Sequence, residues 1–295
     1  METSTVRAGV LDVAVERHGD PTGPTVVLLH GFPYSPRGYD DVARLLADTG
    51  HDVVVPYLRG YGATRFADVD TPRSGQQAAL GHDLRALIEA MGLRRPVVAG
   101  YDWGGRAACV VAALWPEMVS GLVSVSGYLV QDIAAAARTP AAPHLEKRYW
   151  YQWYLHSERG RVGLAAHREE FAQILWTEWS PTWRFGDSEF AASAAALDNP
   201  DFVDVATHSY RHRYGLAAGH PAYDDAERAL AATPVISVPA VVVDPTEDTV
   251  AALYGSPDHA AHFDDLVAVR EMACGHNPPQ ELPGQFADAI RVLTA

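Results

Sequence analysis

The chain has 295 residues, 48% hydrophobic and 20% charged, a globular composition that excludes collagen-like and disordered classes. Asp and Glu total 37 against 23 Lys and Arg, so the formal net charge is −14, and this field argues against nucleic acid and anionic membranes as partners. Cys109 and Cys274 are the only cysteines and make neither a disulfide framework nor a zinc module. Residues 1–9 carry one Arg and no apolar run, and no stretch approaches the ~18 to 20 apolar residues of a membrane span. The expectation is a cytoplasmic protein with buried thiols and no membrane contact.

In chain order, residues 10–15 alternate apolar and polar, which predicts a half-buried edge strand. Residues 25–30 (TVVLLH) are continuously apolar, as in a strand covered on both faces, and residues 52–56, 96–100, 122–125, 240–243 and 267–272 read the same way. Residues 74–91 form a helical pattern through Leu80, Leu84, Leu87 and Ile88, with Gly92 as the stop. A last helix covers residues 280–293, with Phe286, Ile290 and Leu293 on one face. Strands alternating with helices predict an α/β protein with a doubly wound, mostly parallel sheet.

One segment breaks the rhythm. Residues 129–235 hold no clear buried strand and are rich in Ala, Trp, Tyr and Arg, which predicts an inserted helical cap. The expected division is a core of residues 1–128 and 236–295 and a cap of residues 129–235. An insertion there lies over the carboxyl ends of the strands, where open α/β sheets bind ligands, and would act as a lid.

Residues 97–105 (VVAGYDWGG) carry the strongest chemical signal: an apolar strand, a Gly-x-Asp-x-Gly turn, then an Ala-rich helix. Small flanking residues let such a turn lift one side chain above the sheet at a helix N-terminus, and here that side chain is Asp102. No Gly-x-Ser-x-Gly occurs, which argues against a serine esterase. The loop His30-Gly31-Phe32-Pro33 can aim the Phe32 N–H at the turn, and with the Trp103 N–H it would form an oxyanion hole. His276 follows the last strand on a loop, placed as a base. The strand at 240–243 ends in a turn with Asp244, Glu247 and Asp248; Asp248 suits the orientation of a histidine, and the other two are its competitors. The order Asp102, Asp248, His276 is nucleophile, acid, base.

These features together resemble an α/β-hydrolase-fold epoxide hydrolase over essentially the whole chain. The resemblance rests on HGFP at 30–33, GYDWGG at 100–105 and the GH-x-x-x-x-E turn from Gly275 to Glu281. It implies two cap tyrosines that hold an epoxide oxygen, which match Tyr151 in YQWYL and Tyr210 in SYRH; Tyr149, Tyr154 and Tyr214 stand close enough for a register shift. The acid loop, Asp-Pro-Thr-Glu-Asp, departs from the glycine-containing turn of many relatives.

The implied activity is cofactor-independent hydrolysis of an apolar or aromatic epoxide to a vicinal diol through a covalent Asp102 ester. The expected partners are the small-molecule epoxide and water, and a homodimer is left open. A haloalkane or haloacid dehalogenase and a non-catalytic ligand-binding protein of the same fold are the alternatives. Neither His208 with His212 nor His259 with His262 has a metal-site pattern, so no metal is expected. Trp176, Trp179 and Trp183 are expected to be mostly cap core.

Overall fold

The computed structural model describes residues 2–250 and 258–294. Its strands are β1 (Glu2–Ala8), β2 (Leu11–Gly19), β3 (Thr25–Leu29), β4 (Asp52–Pro56), β5 (Arg65–Phe66), β6 (Val97–Gly100), β7 (Gly121–Val125), β8 (Ala240–Pro245) and β9 (Leu266–Met272). They form one sheet in the order β1-β2-β4-β3-β6-β7-β8-β9, with β5 paired to β2. Pairing is parallel from β4 through β9, while β2 is antiparallel to both β1 and β4.

The central strands are buried almost throughout, as their unbroken apolar runs require. Two strand assignments need correction. The alternating segment at residues 10–15 is not at an edge: β2 lies between β1 and β4 and continues to Gly19. The outer strand is β1, whose side chains are mostly exposed and gave no apolar pattern to read. At the opposite edge, β9 leaves Val267 and Val269 exposed, so it is not covered on both faces as the central strands are.

Helices α1 (Asp40–Ala47), α2 (Gln77–Ala90) and α3 (Asp102–Leu114) follow the first parallel strands. Between β7 and β8 the chain runs through α4 (Ile133–Ala136), α5 (Pro143–Glu146), α6 (Trp150–Leu155), α7 (Glu158–Ala166), α8 (Arg168–Trp179), α9 (Asp187–Ala194), α10 (Phe202–His212) and α11 (Asp224–Ala231), with no strand among the described residues there. The chain closes with α12 (Pro278–Glu281) and α13 (Pro283–Thr294). Two helix pairs, α2 with α3 and α1 with α13, pack on the sheet.

The helical segment is fastened to the sheet by its aromatic residues. Trp176 and Trp179 are buried, and the Trp176 indole N–H donates to the Pro33 carbonyl at 3.2 Å. Trp183, partly buried, stacks on Trp176 at 5.4 Å. A second tie joins Ser193 of α9 to Ser35, hydroxyl to hydroxyl at 2.9 Å. Among the described residues no helix is long and apolar enough to cross a membrane.

Candidate active site

Asp102 stands where β6 turns into α3. Tyr101 is extended, and Asp102 then takes a φ of +49° before the chain enters the helix. A non-glycine residue in this left-handed region carries strain of about 1–3 kcal/mol, held by its surroundings. Gly104 permits the turn, since a Cβ there would collide with the backbone of Leu29 in β3. The Phe32 N–H donates to Asp102 Oδ1 at 2.7 Å. The N–H of Trp103, in the first turn of α3, belongs to the group that has no intrahelical acceptor.

The loop before Phe32 is set by His30, which is fully buried. Its Nε2 accepts the Leu58 N–H at 3.1 Å, so the proton resides on Nδ1, which donates to the Gly31 carbonyl at 3.0 Å. Burial lowers its pKa to about 4, so it is a neutral structural clamp.

His276 reaches the same point from the loop after β9. Its Nδ1 lies 2.8 Å from Asp248 Oδ2, and its Nε2 lies 3.9 Å from Asp102 Oδ2. The Asp248 side chain is fully buried, and its other oxygen accepts the Val250 N–H at 2.7 Å. The two competing acids are engaged elsewhere: Asp244 with His259 at 2.8 Å, and Glu247 with the Thr182 hydroxyl. Burial alone would lower the His276 pKa, but the charges of Asp248 and Asp102 outweigh it and leave the imidazole above its ordinary value.

Two residues that sequence reasoning did not place hold this histidine. Ser180, just past α8, accepts the His276 N–H at 2.9 Å and donates its own proton to Glu281 at 2.7 Å. Glu281 also accepts the N–H groups of Gly275 and Asn277, at 2.8 and 3.1 Å. Glu281 was visible as the end of the GH-x-x-x-x-E turn; Ser180, nearly a hundred residues upstream, gave no local signal.

Above Asp102, Tyr151 of α6 and Tyr210 of α10 are both buried and meet edge to face, with ring centroids 5.3 Å apart. Both pack on Phe32, at 6.4 and 5.2 Å. The Tyr151 oxygen accepts the side-chain N–H of Gln152 at 2.7 Å, and Gln152 in turn accepts the Tyr214 hydroxyl at 2.9 Å. The Tyr210 hydroxyl is buried, and its polar neighbour is the side chain of Trp103, whose ring lies 6.0 Å from that of Tyr210. Burial and the Asp102 charge push its phenol well above the ordinary tyrosine value, so it keeps its proton. The alternatives lie farther out: Tyr214 is in the Gln152 relay, Tyr154 packs on Phe171, and Tyr149 lines an outer cavity.

A cavity of about 30 Å³ is lined by Asp102, His276, Tyr151, Leu129, Val125 and Val250. Arg106 and Arg213 also line it. Both were legible by helical spacing: Arg106 is one turn past Asp102 on α3, and Arg213 is one turn past Tyr210. His208 and His212 stack at 5.7 Å, with His208 accepting the Gly75 N–H. Among the described residues no cluster of His, Cys, Asp or Glu is placed to hold a metal ion.

The sheet order, the strained aspartate turn and the histidine loop define an α/β-hydrolase. The family model of the alpha/beta hydrolase fold matches residues 24–278. A crystal structure of a Klebsiella pneumoniae protein, provisionally named an epoxide hydrolase, is similar at 41% identity, covering 99% of this chain and 97% of that one, with a TM-score of 0.96. Epoxide hydrolase B of Mycobacterium tuberculosis is 33% identical over 190 residues, 61% of this chain and 52% of that protein. Epoxide hydrolase 3 of Siraitia grosvenorii is 34% identical over 128 residues, 42% of this chain and 37% of that protein. The matches thus span about half or less of these curated relatives. Potato epoxide hydrolase I shares the fold, with a TM-score of 0.76 at 21% identity, covering 99% of this chain and 98% of that one. The chain belongs to the α/β-hydrolase-fold epoxide hydrolase family.

Proposed function

We propose that the protein is a cofactor-independent epoxide hydrolase that converts an epoxide with an apolar or aromatic body to a vicinal diol. The observation that supports this reading is one small cavity lined by Asp102, His276 and Tyr151, with Asp248 behind the histidine and the buried Tyr210 packed against Tyr151. In this scheme Asp102 attacks an epoxide carbon through Oδ2, the oxygen that Phe32 does not hold, and the ring C–O bond breaks. The ring oxygen takes a proton from the phenols of Tyr151 and Tyr210 as its charge develops. The product of this half-reaction is a hydroxyalkyl ester of Asp102.

His276, oriented by Asp248, then takes a proton from water, and the hydroxide attacks the ester carbonyl. The N–H groups of Phe32 and Trp103 stabilise the tetrahedral oxyanion. Collapse releases the diol and the Asp102 carboxylate, and the proton held by His276 restores the phenol. No cofactor enters this cycle. Residues 129–235 serve as the lid, and residues 1–128 and 236–295 as the core that carries nucleophile, acid and base.

The test is His276→Gln with styrene oxide, which leaves alkylation intact and blocks hydrolysis. Intact-protein mass spectrometry should show an adduct equal to the epoxide mass, and peptide mapping should place it on Asp102. Substrate consumption without adduct, or an adduct elsewhere, would overturn the covalent scheme. A dehalogenase of this fold would use the same nucleophile and base but gives the two phenols no task, so diol from styrene oxide with no halide from a haloalkane separates the two. Product from neither would favour a non-catalytic binding protein.

A further inference from the structure

The cavity wall contains two cations that hydrolysis of a neutral epoxide does not use. Arg106 and Arg213 are only 5% and 7% exposed, and both line the cavity that holds Asp102. A guanidinium stays charged at any pH a protein tolerates. Arg106 Nη1 donates to the side-chain oxygen of Gln131 at 3.0 Å and lies 3.5 Å from that of Gln77. The Arg213 guanidinium lies over the face of Tyr210, 5.0 Å from the ring centroid.

Fixed positive charge here works against a neutral substrate. Alkylation converts the Asp102 carboxylate to an uncharged ester, so nearby cations stabilise the starting state more than the product. An anionic group on the substrate reverses this. It occupies the guanidiniums on binding, and the guanidiniums in turn offset its repulsion by Asp102.

The route inward carries two arginines against one carboxylate. Arg213 also lines an outer cavity of about 540 Å³, together with Gln131, Arg138, Glu146, Trp153 and Tyr214, and Glu146 accepts the Ala141 N–H. Arg213 therefore stands at the junction of the two cavities, and Gln131, the hydrogen-bond partner of Arg106, lies beside it. In a chain of net charge −14, a path lined by Arg138, Arg213 and Arg106 focuses anions toward the nucleophile.

We propose that the substrate is an epoxide bearing a carboxylate, with the carboxylate held by Arg213 and Arg106 and the ring facing Asp102. The proposal rests on the epoxide-hydrolase reading above. The chemistry is unchanged: one ring C–O bond is exchanged for an ester and then for a hydroxyl, and the carboxylate passes through as a handle, giving a dihydroxy acid.

The experiment compares trans-3-phenylglycidate, its methyl ester and styrene oxide, with diol formation as the readout. Charge-assisted contacts of this kind predict that kcat/KM for the acid exceeds that for the ester by on the order of 10- to 100-fold. That ratio should fall at least about 10-fold in Arg213→Gln and in Arg106→Gln, and Arg213→Lys should retain part of it. Calorimetry on the Asp102→Asn protein provides a readout without turnover: the acid should bind more tightly than the ester, and Arg213→Gln should remove the difference. Diol from styrene oxide and from the ester, with the acid no better and no tighter, would overturn the carboxylate proposal and leave the epoxide-hydrolase reading standing. No diol from any of the three, with no Asp102 adduct in His276→Gln, would overturn both. Halide from a haloacid in place of diol would do the same.

Discussion

Ser180 and His276 are joined across nearly a hundred residues: the hydroxyl oxygen that ends α8 accepts the backbone N–H of the histidine at 2.9 Å. The segment that covers the site therefore also positions the base beneath it. Ser180→Ala leaves that buried N–H without its acceptor, at a cost of about 1–3 kcal/mol. Urea unfolding should show this loss, and single-turnover kinetics should show slower ester hydrolysis with alkylation unchanged. Gly275→Ala should be more damaging, because a Cβ at Gly275 collides with both the backbone and the side chain of Ser180.

Asp102→Asn should abolish turnover without unfolding the protein. Asparagine tolerates the left-handed conformation that residue 102 adopts, so the turn survives. Loss of the nucleophile should cost more than ~10³-fold in kcat. A thermal melt near wild type combined with absent turnover is the expected pair of results; activity near wild type would remove Asp102 from the mechanism.

In the proposed cycle the phenols act in the first half-reaction only. Tyr151→Phe and Tyr210→Phe should each slow alkylation by on the order of 10- to 10³-fold, by analogy with the loss of an oxyanion donor. The double variant should be slower than either, and hydrolysis of a preformed ester should barely change. Stopped-flow tryptophan fluorescence separates the steps; wild-type alkylation in both single variants would reduce the tyrosines to packing residues.

His276 should titrate above 6.5, its ordinary value, because the charges of Asp248 and Asp102 outweigh its burial. Below its folded pKa the imidazole carries a proton and cannot accept one from water, so ester hydrolysis is lost as pH falls through that value. Asp102→Asn removes one of the two charges and should lower the His276 pKa. NMR titration of the ring in both proteins checks the sign; an unchanged or higher value in the variant would contradict it. In the proposed cycle ester formation also neutralises Asp102, which would make the base easier to deprotonate in the step where it is needed.

The parts of the fold visible in sequence were those in which one pattern had one cause. Strands such as β3 and β8 carry unbroken apolar runs, residues 26–29 and 240–243, because those residues are buried and no turn interrupts them. Strand β1 escaped notice because it is exposed and held by pairing to β2, and its residues are chosen for solvent. At the site, Asp102, Asp248 and His276 could be read because each lies in the turn or loop that follows a strand of the sheet, β6, β8 and β9, so the strand fixes its position. Ser180 and Gln152 lie in a connection and a helix of the inserted segment, where no strand marks a position and only the folded contacts show what each side chain meets. The same contacts separate Tyr151 from Tyr214, since Gln152 engages Tyr151 on one side and Tyr214 on the other.

The size of the inner cavity has a chemical consequence for product identity. At about 30 Å³ it is too small for an epoxide as it stands, so the wall gives way for the substrate, and the close-packed side chains around it leave little room beyond what the substrate takes. A nucleophile larger than water has no place beside His276 once the substrate's carbon skeleton is attached to Asp102. In mixtures of water with methanol or with a primary amine, the ester should therefore partition to diol alone, where an open site would give ether and amino-alcohol products in proportion to the co-solvent. Chemoselectivity is thus set by steric exclusion, and an enlarged cavity, as in Leu129→Ala, should begin to admit the alcohol.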